Sequence, residues 1–376
     1  MYSQNILHRT KCNIRKIYIC NIIYMGNSNS NSNSKSGCGC RGGDGGDGDG
    51  VNNNPVPAEL SLENGGTRRL RRRGHHTRKK WQSAKCSPAV SGKTVHYNTC
   101  FTPAVMSQIK DAYNAAHPAD KITTDVPADI WRHLKAKFAG CDDEMCWLDK
   151  LGNASLKKKI EEQLFAPKSP SSWKHKPNEW LSNIDILAVL KQYETANKHF
   201  KFIGPTAIDF DTVLHAGKCV TDDLCNFELQ DYISDHKTKI GIIFNLDKHD
   251  ESGSHWVAMF IDLEHHFLFY FDSACNPVPP EIKKLTARIL EQAKAAHTPL
   301  HYYDNQHITH QRTNTECGMY CLFFVVTMLT GEIETEQNGH KRTLRLNPAK
   351  RRNLFLRKRV PDKYVEKYRK VYFNEA

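Results

Sequence analysis

The segment from Cys317 to Thr330, CGMYCLFFVVTMLT, most constrains how this chain folds, because it is apolar on nearly every side. A helix that is hydrophobic all round must be buried on all sides. The run is too short to span a membrane, which takes about 20 apolar residues, and no longer apolar run exists in the chain. Gly331 follows it and is typical of a residue that ends a helix. We therefore predict a central buried helix.

Four strand-like segments precede this helix. Apolar residues dominate Lys239 to Asp247, His255 to Asp262, His266 to Asp272 and Leu300 to Tyr303. Only three residues separate the second segment from the third, and so short a gap predicts a β-hairpin.

Two amphipathic helices accompany these strands. Trp180 to Tyr193 places Ile184, Leu187 and Leu190 on one side, and Glu281 to Ala296 places Ile282, Leu285, Ile289 and Ala293 on one side. The mixture of elements predicts an α+β fold with a central mixed sheet covered by helices.

The sequence upstream of these elements predicts a small helical domain with the bounds 86–166. It contains helical periodicity from Pro103 to Ala116, with Thr102 as N-cap, from Asp129 to Phe138, and near 141–165. Pro167, Pro170 and Pro177 then mark a linker into a main domain at 167–376.

Residues 1–85 are predicted to be a disordered extension. Residues 26–56 are a Gly/Ser/Asn-rich tract with almost nothing to bury. Eight Lys and Arg residues follow between Arg68 and Lys80, in a chain with a net charge of +12. This cluster fits a nucleic-acid-binding arm or a nuclear-localisation-like patch, or equally a solvated tail without a fixed partner.

Three shorter features of the extension carry separate hypotheses. Ile17 to Met25 faintly resembles a signal peptide but is short and lacks an A-x-A cleavage site. Met25 to Ser30 fits the N-myristoylation pattern if Gly26 becomes the N-terminus. Gly65-Gly66-Thr67 is a candidate site of self-cleavage.

The chain has 13 cysteines, an odd number without a repeating framework. Disulfide-rich secreted scaffolds are usually short and evenly paired. We therefore expect a reducing compartment and mostly free thiols. His133, Cys141 and Cys146 match no standard zinc spacing, so we expect no metal there.

Cys317 is the best candidate for a thiol nucleophile. It lies at the predicted start of the buried helix, where the helix dipole and unpaired N–H groups favour a thiolate. Gly318 leaves room for a substrate backbone. Cys321, one turn further into the apolar helix, should be inert.

His255 and Asp272 are the candidate base and its orienting carboxylate. In a hairpin, the start of one strand lies beside the end of the next, so the two side chains become neighbours. Taken singly, His255 fits an ordinary rim histidine, Asp272 the start of a turn, and Gln311 a loop amide, so the hypothesis depends on their combination.

The order His255, Asp272, Gln311, Cys317 resembles the Ulp/SENP and adenovirus-protease group of cysteine proteases. Asp272 lies 17 residues after His255, and Gln311 lies six residues before Cys317, as in that group. His255-Trp256, Glu316-Cys317-Gly318 and the stretch beginning Trp180-Leu181 are similar to its motifs. The upstream helical region resembles the viral, mimivirus-like thiol-protease branch from large DNA viruses.

The resemblance implies roles for these residues and a papain-related fold. Gln311 and the Cys317 N–H would bind the oxyanion, Trp256 would roof a channel that admits Gly-Gly-like sequences, and Trp180 and Gly318 would contact substrate. It implies an endopeptidase that cleaves after small residues and needs no metal, with a DNA or basic-peptide activator left open.

Two substrate classes remain open within this resemblance: viral structural precursors cut during virion maturation, and ubiquitin-like (SUMO-type) modifiers. A third hypothesis gives the chain no catalytic role and makes it a nucleic-acid-associated virion protein. For the first, we expect a location in the virion or in the viral factory of the host cytoplasm.

Overall fold

The computed structural model describes residues 83–337 and 340–375, all within one compact unit. Twelve α-helices occur among these residues. They are α1 Pro103–Ala116, α2 Pro127–Lys137, α3 Glu144–Lys150, α4 Ala154–Leu164, α5 Asn183–Ala196, α6 Asp222–Cys225, α7 Leu229–Ser234, α8 Pro280–Ala295, α9 Cys317–Thr330, α10 Pro348–Leu356, α11 Asp362–Glu366 and α12 Arg369–Tyr372. Short 3-10 helices cover Pro88–Val90, Ser171–Lys174 and His215–Gly217.

Five strands form the central sheet in the order β1-β2-β3-β4-β5. They are β1 Phe200–Ala207, β2 Lys239–Asn245, β3 Trp256–Asp262, β4 Phe267–Phe271 and β5 His301–Asp304. The outer pairs β1–β2 and β4–β5 are parallel, and the inner pairs β2–β3 and β3–β4 are antiparallel. This mixed sheet with helices on it confirms the predicted α+β fold.

The sheet is buried on both faces because its strands alternate apolar side chains to opposite sides. On one face, Ala258 and Phe260 of β3 belong to a cluster with α9. On the other face, Val257 and Met259 pack with Ile282 of α8 and its neighbours. The sheet is therefore the middle layer of a three-layer core.

Helix α9 spans the predicted residues and is buried along its length up to Leu329. Gly331 ends it with φ = 74°, in the left-handed region that favours glycine. A Cβ at this position would lie 2.6 Å from the Leu346 carbonyl oxygen, so the chain can turn here only without a side chain. The prediction of a central buried helix with a glycine stop is confirmed.

The predicted hairpin is β3–β4, with Ala258 opposite Phe271. In this register, His255 precedes the first residue of β3 and Asp272 follows the last residue of β4. Both side chains therefore lie at the same end of the hairpin.

The helical region packs around its own core, centred on Phe101, Ile130, Leu134 and Trp147. Helix α1 has the predicted bounds, and the Thr102 side chain caps it by accepting from the Val105 N–H. The single helix expected near 141–165 is wrong: α3 and α4 are separate, and Asn153 caps α4 through its side chain. The boundary at 166 stays a prediction.

The inward face predicted for the helix after Trp180 is also wrong. Helix α5 begins at Asn183 and buries Ile186, Val189 and Leu190, whereas Ile184 is 72% exposed. Ser182 forms a capping box with Asp185, and this cap sets the start of the helix.

The expectation of mostly free thiols is wrong for the part of the chain that the structure describes. Three disulfides join Cys86 to Cys100, Cys141 to Cys146, and Cys219 to Cys225. Cys275, Cys317 and Cys321 are free. Local pairs that are 5 to 14 residues apart leave no repeating framework in the sequence, so the cysteine spacing did not reveal them. The compartment itself stays a prediction.

Strand β1 and a two-stranded hairpin, β6 Glu332–Gln337 with β7 His340–Arg345, were not predicted. Gly204-Pro205 interrupts β1 and masks its pattern, and β7 is exposed throughout, with Leu344 as its one apolar residue. The Gly26, Gly65-Gly66 and Arg68–Lys80 hypotheses and most of the predicted extension lie outside the described residues. Among the residues described, no helix combines the length and apolarity needed to cross a membrane.

Candidate active site

Cys317 is the first residue of α9. It is buried in the core, with 2% of its surface exposed. Glu316 occupies the N-cap but makes no side-chain capping bond. The N–H groups of a first helical turn have no partner within the helix. Cys317 is therefore a buried thiol beside the hydrogen-bond donors at the positive end of a helix dipole.

His255 and Asp272 meet at the end of the β3–β4 hairpin, with 2.6 Å between His255 Nε2 and Asp272 Oδ1. The Asp272 side chain is 1% exposed, and that of His255 is 18% exposed. The backbone N–H groups of Ala274 and Asn276 also donate to this carboxylate, at 2.8 and 2.9 Å. These bonds keep the carboxylate fixed in position beside His255.

The pKa of His255 is raised from 6.5 to about 10. Burial by itself lowers it, but the hydrogen bonds to Asp272 and Cys317 and the negative charges of both groups outweigh burial. His255 therefore interacts with both candidate partners at once. An imidazole held between a carboxylate and a thiol is the arrangement that nucleophilic cysteine chemistry needs.

Gln311 lies in the loop before α9, with its amide bonded at both ends. The Ser273 hydroxyl donates to Gln311 Oε1 at 2.7 Å, and Gln311 Nε2 donates to the Thr313 carbonyl oxygen at 2.7 Å. A side-chain amide nitrogen carries two hydrogens, so one remains for another acceptor.

Trp256 packs over the start of α9. Its Nε1 donates to the Leu181 carbonyl oxygen at 3.1 Å. A Cβ on Gly318 would lie 3.0 Å from Leu181 Cβ and 3.3 Å from Trp256 Cδ1. The missing side chain at Gly318 thus lets Leu181 and Trp256 pack closely against the first turn of α9. This is a packing role, and the predicted contact of Gly318 with substrate stays a prediction.

Trp180 is 47% exposed, and its Nε1 donates to the Asn314 carbonyl oxygen at 2.7 Å. This bond ties the segment before α5 to the loop before Cys317. Two open cavities share Trp180, Leu181 and Ser182 among their lining residues. The one that reaches Trp256 has a volume of about 440 Å³ and continues along Thr206, Asn245 and Ser254.

Sequence reasoning missed Asn305 as part of this site. Its Oδ1 accepts from the Asp272 N–H at 2.9 Å, and its Nδ2 donates to the Asp272 carbonyl oxygen at 2.7 Å. Asn305 directly follows β5, which runs parallel to β4, so both strands end at the same sheet edge. A polar residue after the short strand was the available signal.

Cys321 lies one turn into α9 and is fully buried, and burial raises the pKa of its thiol well above the usual value. The expected burial of Cys321 is confirmed, and its lack of reactivity stays a prediction. Asp262, Glu264 and His265 approach one another at the other end of the hairpin, and they lie far along β3 from His255. His133 joins neither this group nor the Cys141–Cys146 disulfide.

A profile of the Ulp1 protease family, C-terminal catalytic domain, matches residues 225–362, a span that contains all four candidate catalytic residues. A protein of Acanthamoeba polyphaga mimivirus, named as a candidate thiol protease, is 27% identical over 254 residues, covering 62% of this chain and 82% of its own length. A cysteine protease of African swine fever virus is 27% identical over 212 residues, covering 51% of this chain and 74% of its own length.

One solved structure supports the fold. The crystal structure of an African swine fever virus protease matches with a TM-score of 0.52 at 18% identity, covering 79% of this chain and 98% of that one. At this identity the likeness concerns the fold alone. The profile and the viral relatives point to the chemistry: over residues 225–362 the chain matches the catalytic domain of the Ulp1 protease family, and the relatives are named as thiol or cysteine proteases.

Proposed function

We propose that the chain is a cysteine endopeptidase with Cys317 as nucleophile, His255 as its base and Asp272 as the carboxylate that orients the histidine. The observation that carries this proposal is the position of His255, which bonds Asp272 at 2.6 Å and also interacts with Cys317. The start of α9 supplies the positive end of a helix dipole beside the thiol.

The reaction begins when the Cys317 thiolate attacks the scissile carbonyl carbon and forms a C–S bond. The tetrahedral oxyanion accepts hydrogen bonds from the free Gln311 Nε2 hydrogen and the Cys317 N–H. His255, protonated at neutral pH because its pKa is about 10, gives its proton to the leaving amine as the C–N bond breaks. The neutral imidazole then takes a proton from water, and the resulting hydroxide releases the acyl group and restores the thiolate.

Burial of the nucleophile supports cleavage after small residues. Cys317 is 2% exposed, and Trp256 and Leu181 pack against the adjacent Gly318, so a residue with a large side chain has little room beside the thiol. Extended Gly-Gly-X sequences present bare backbone and fit such a restriction. We propose viral structural precursors, processed during virion maturation, as the substrates, with support from the mimivirus and African swine fever virus relatives.

A SUMO-type isopeptidase activity is the second candidate. It is favoured by the Ulp1 family profile and by African swine fever virus relatives that are named SUMO-1 cysteine proteases, one of them 28% identical over 212 residues. Both candidates use the same four residues and differ only in what binds outside the cleft.

Cleavage of a peptide library with Gly-Gly-X and Ala-Gly-X sites, beside a SUMO fusion protein, tests both candidates. Wild-type protein should cleave, Cys317→Ala should not, and Cys321→Ala should retain activity as the matched control. Peptide cleavage without fusion cleavage supports the endopeptidase, and the reverse supports the isopeptidase. If no variant cleaves any substrate with reducing agent and DNA present, the proposed enzyme activity is wrong.

A further inference from the structure

The Gln311 amide is held at one end by a buried serine and oriented at the other end by the Thr313 carbonyl oxygen, which can only accept a hydrogen bond. Ser273 is fully buried and immediately follows Asp272, and its hydroxyl donates to Gln311 Oε1. The Ser273 carbonyl oxygen also accepts the N–H groups of His310 at 3.0 Å and Gln311 at 2.9 Å. A flipped amide would place Gln311 Oε1 against the Thr313 carbonyl oxygen, and neither oxygen has a hydrogen to donate. Ser273 thus links the end of β4 to the oxyanion loop.

The other end of the amide depends on Asp362, which opens α11. Gln311 Nε2 donates to the Thr313 carbonyl oxygen, and the backbone around Thr313 is held by the Asp362 carboxylate. Asp362 Oδ1 accepts the Arg312 N–H at 3.0 Å, the Thr313 N–H at 3.4 Å and the Thr313 hydroxyl at 3.2 Å.

Asp362 is charged and nearly buried, with 7% exposure. Burial alone raises its pKa, but hydrogen bonds from the Arg312 and Thr313 N–H groups and the charge of Arg359 outweigh burial and lower the pKa. A buried carboxylate that accepts several backbone N–H bonds is a rigid anchor, because its desolvation is offset only in that geometry.

A buried histidine fastens the same loop to the same C-terminal segment. His310 Nδ1 accepts the Val360 N–H at 3.0 Å, and its Nε2 lies 3.0 Å from the Phe355 carbonyl oxygen. Burial lowers the pKa of His310 to about 4, so it stays neutral with the proton on Nε2. Residues 355–362 are therefore hydrogen-bonded to the loop on both sides of Gln311.

We propose that Ser273 and Asp362 are positioning residues that hold the Gln311 amide so that its second N–H hydrogen faces the developing oxyanion. The inference rests on the proposed role of Gln311. It assigns a catalytic consequence to two residues outside the Cys–His–Asp set, one from the sheet edge and one from the C-terminal helices.

A double-mutant cycle tests the proposal. Both kcat and KM are measured, and kcat is expressed per Cys317 thiol titrated by iodoacetamide. Gln311→Ala should lower kcat by about 10²–10³-fold, as loss of one oxyanion donor does. Ser273→Ala and Asp362→Ala should each lower kcat by about 10-fold or more, but by no more than Gln311→Ala does, and should leave KM nearly unchanged. In the Gln311→Ala background, neither should lower kcat further.

Two variants keep the result interpretable. Asp362→Asn retains an acceptor for the loop N–H groups and should lose less kcat than Asp362→Ala. Thr313→Val removes only the hydroxyl bond to Asp362 and keeps the backbone bonds, so it should lose less kcat than Asp362→Ala. If Asp362→Ala fails to fold, Ser273→Ala and Asp362→Asn carry the test.

The outcomes separate this inference from the proposed function. Equal losses of kcat from Ser273→Ala in the wild-type and Gln311→Ala backgrounds would mean a merely structural role and overturn the inference. Full kcat in Gln311→Ala would instead overturn the proposed oxyanion role itself.

Discussion

Buried carboxylates are used differently in the helical region and at the sheet edge. Glu144 in α3 is fully buried, and its oxygens accept the Cys100 N–H at 3.0 Å and the Trp131 Nε1–H at 3.3 Å. Burial raises its pKa, which the hydrogen bonds from these buried donors oppose. Asp272 is equally buried but bonds His255, whose side chain is 18% exposed and faces the nucleophile.

The difference lies in the partners. All donors to Glu144 belong to a closed core, so the carboxylate can only join elements together. Asp272 accepts two backbone N–H bonds and also bonds His255, a group that exchanges protons. A buried acid therefore contributes to a reaction only where one of its partners reaches the open side of the fold.

The largest expected effect tests whether the Asp272 carboxylate contributes to the reaction. Asp272→Asn should lower kcat/KM by about 10²–10⁴-fold, the usual contribution of acid–base catalysis, with little change in fold. It should also move the alkaline limb of the pH–rate profile. The Asp272 charge helps to raise the pKa of His255 to about 10, so activity that falls near pH 10 in wild type should fall at lower pH in the variant.

The same shift has a consequence for stability. A histidine whose pKa rises from 6.5 to about 10 on folding stabilises the fold fully below pH 6.5, and this contribution is lost as pH rises toward 10. Asp272→Asn should flatten this dependence of Tm on pH. An unchanged alkaline limb and an unchanged Tm profile would contradict the charge coupling between the two residues.

A second prediction concerns the buried ion pair beside the nucleophile. Both side chains of the Glu316–Arg369 pair are nearly inaccessible, with oxygen–nitrogen distances of 3.1–3.2 Å. Arg369→Met leaves an unpaired buried carboxylate and should reduce the free energy of unfolding by about 3–5 kcal/mol.

The control for this variant is Glu316→Gln/Arg369→Met, which removes both charges and should recover most of the stability. Burial raises the pKa of Glu316, and Arg369 opposes that rise. Without Arg369 the carboxyl should protonate more readily, so the loss of stability should be smaller at pH 5 than at pH 8. Urea unfolding at the two pH values measures this, and an equal loss at both would argue against it.

The smallest expected effect sharpens the Glu144 side. Glu144→Ala removes the acceptor of the buried Cys100 N–H and of the Trp131 Nε1–H, and should reduce the free energy of unfolding by roughly 1–3 kcal/mol. Because Trp131 packs in a cluster distinct from that of Cys317, kcat per folded molecule should match wild type. Glu144→Gln keeps one acceptor and should lose less stability. A fall in kcat at full folding would show that the helical region reaches the active site.

The sequence alone determined the core and the candidate catalytic residues. An apolar run bounded by Gly331 can form only a buried helix, and the short gap between two apolar segments forces a hairpin that brings His255 to Asp272. These are local patterns with a fixed period, so they can be read without coordinates.

Only the tertiary structure decided which faces are covered and what holds the site. Contacts between distant parts of the chain determine the exposure of Ile184, the pairing of cysteines, and the hydrogen bonds of Asn305 and Asp362. Asp362, for example, accepts a hydrogen bond from Arg312, 50 positions away in the sequence. Hydrogen bonds of this kind have no periodicity. They exist because each buried polar group needs a partner, and packing alone determines which partner is within reach.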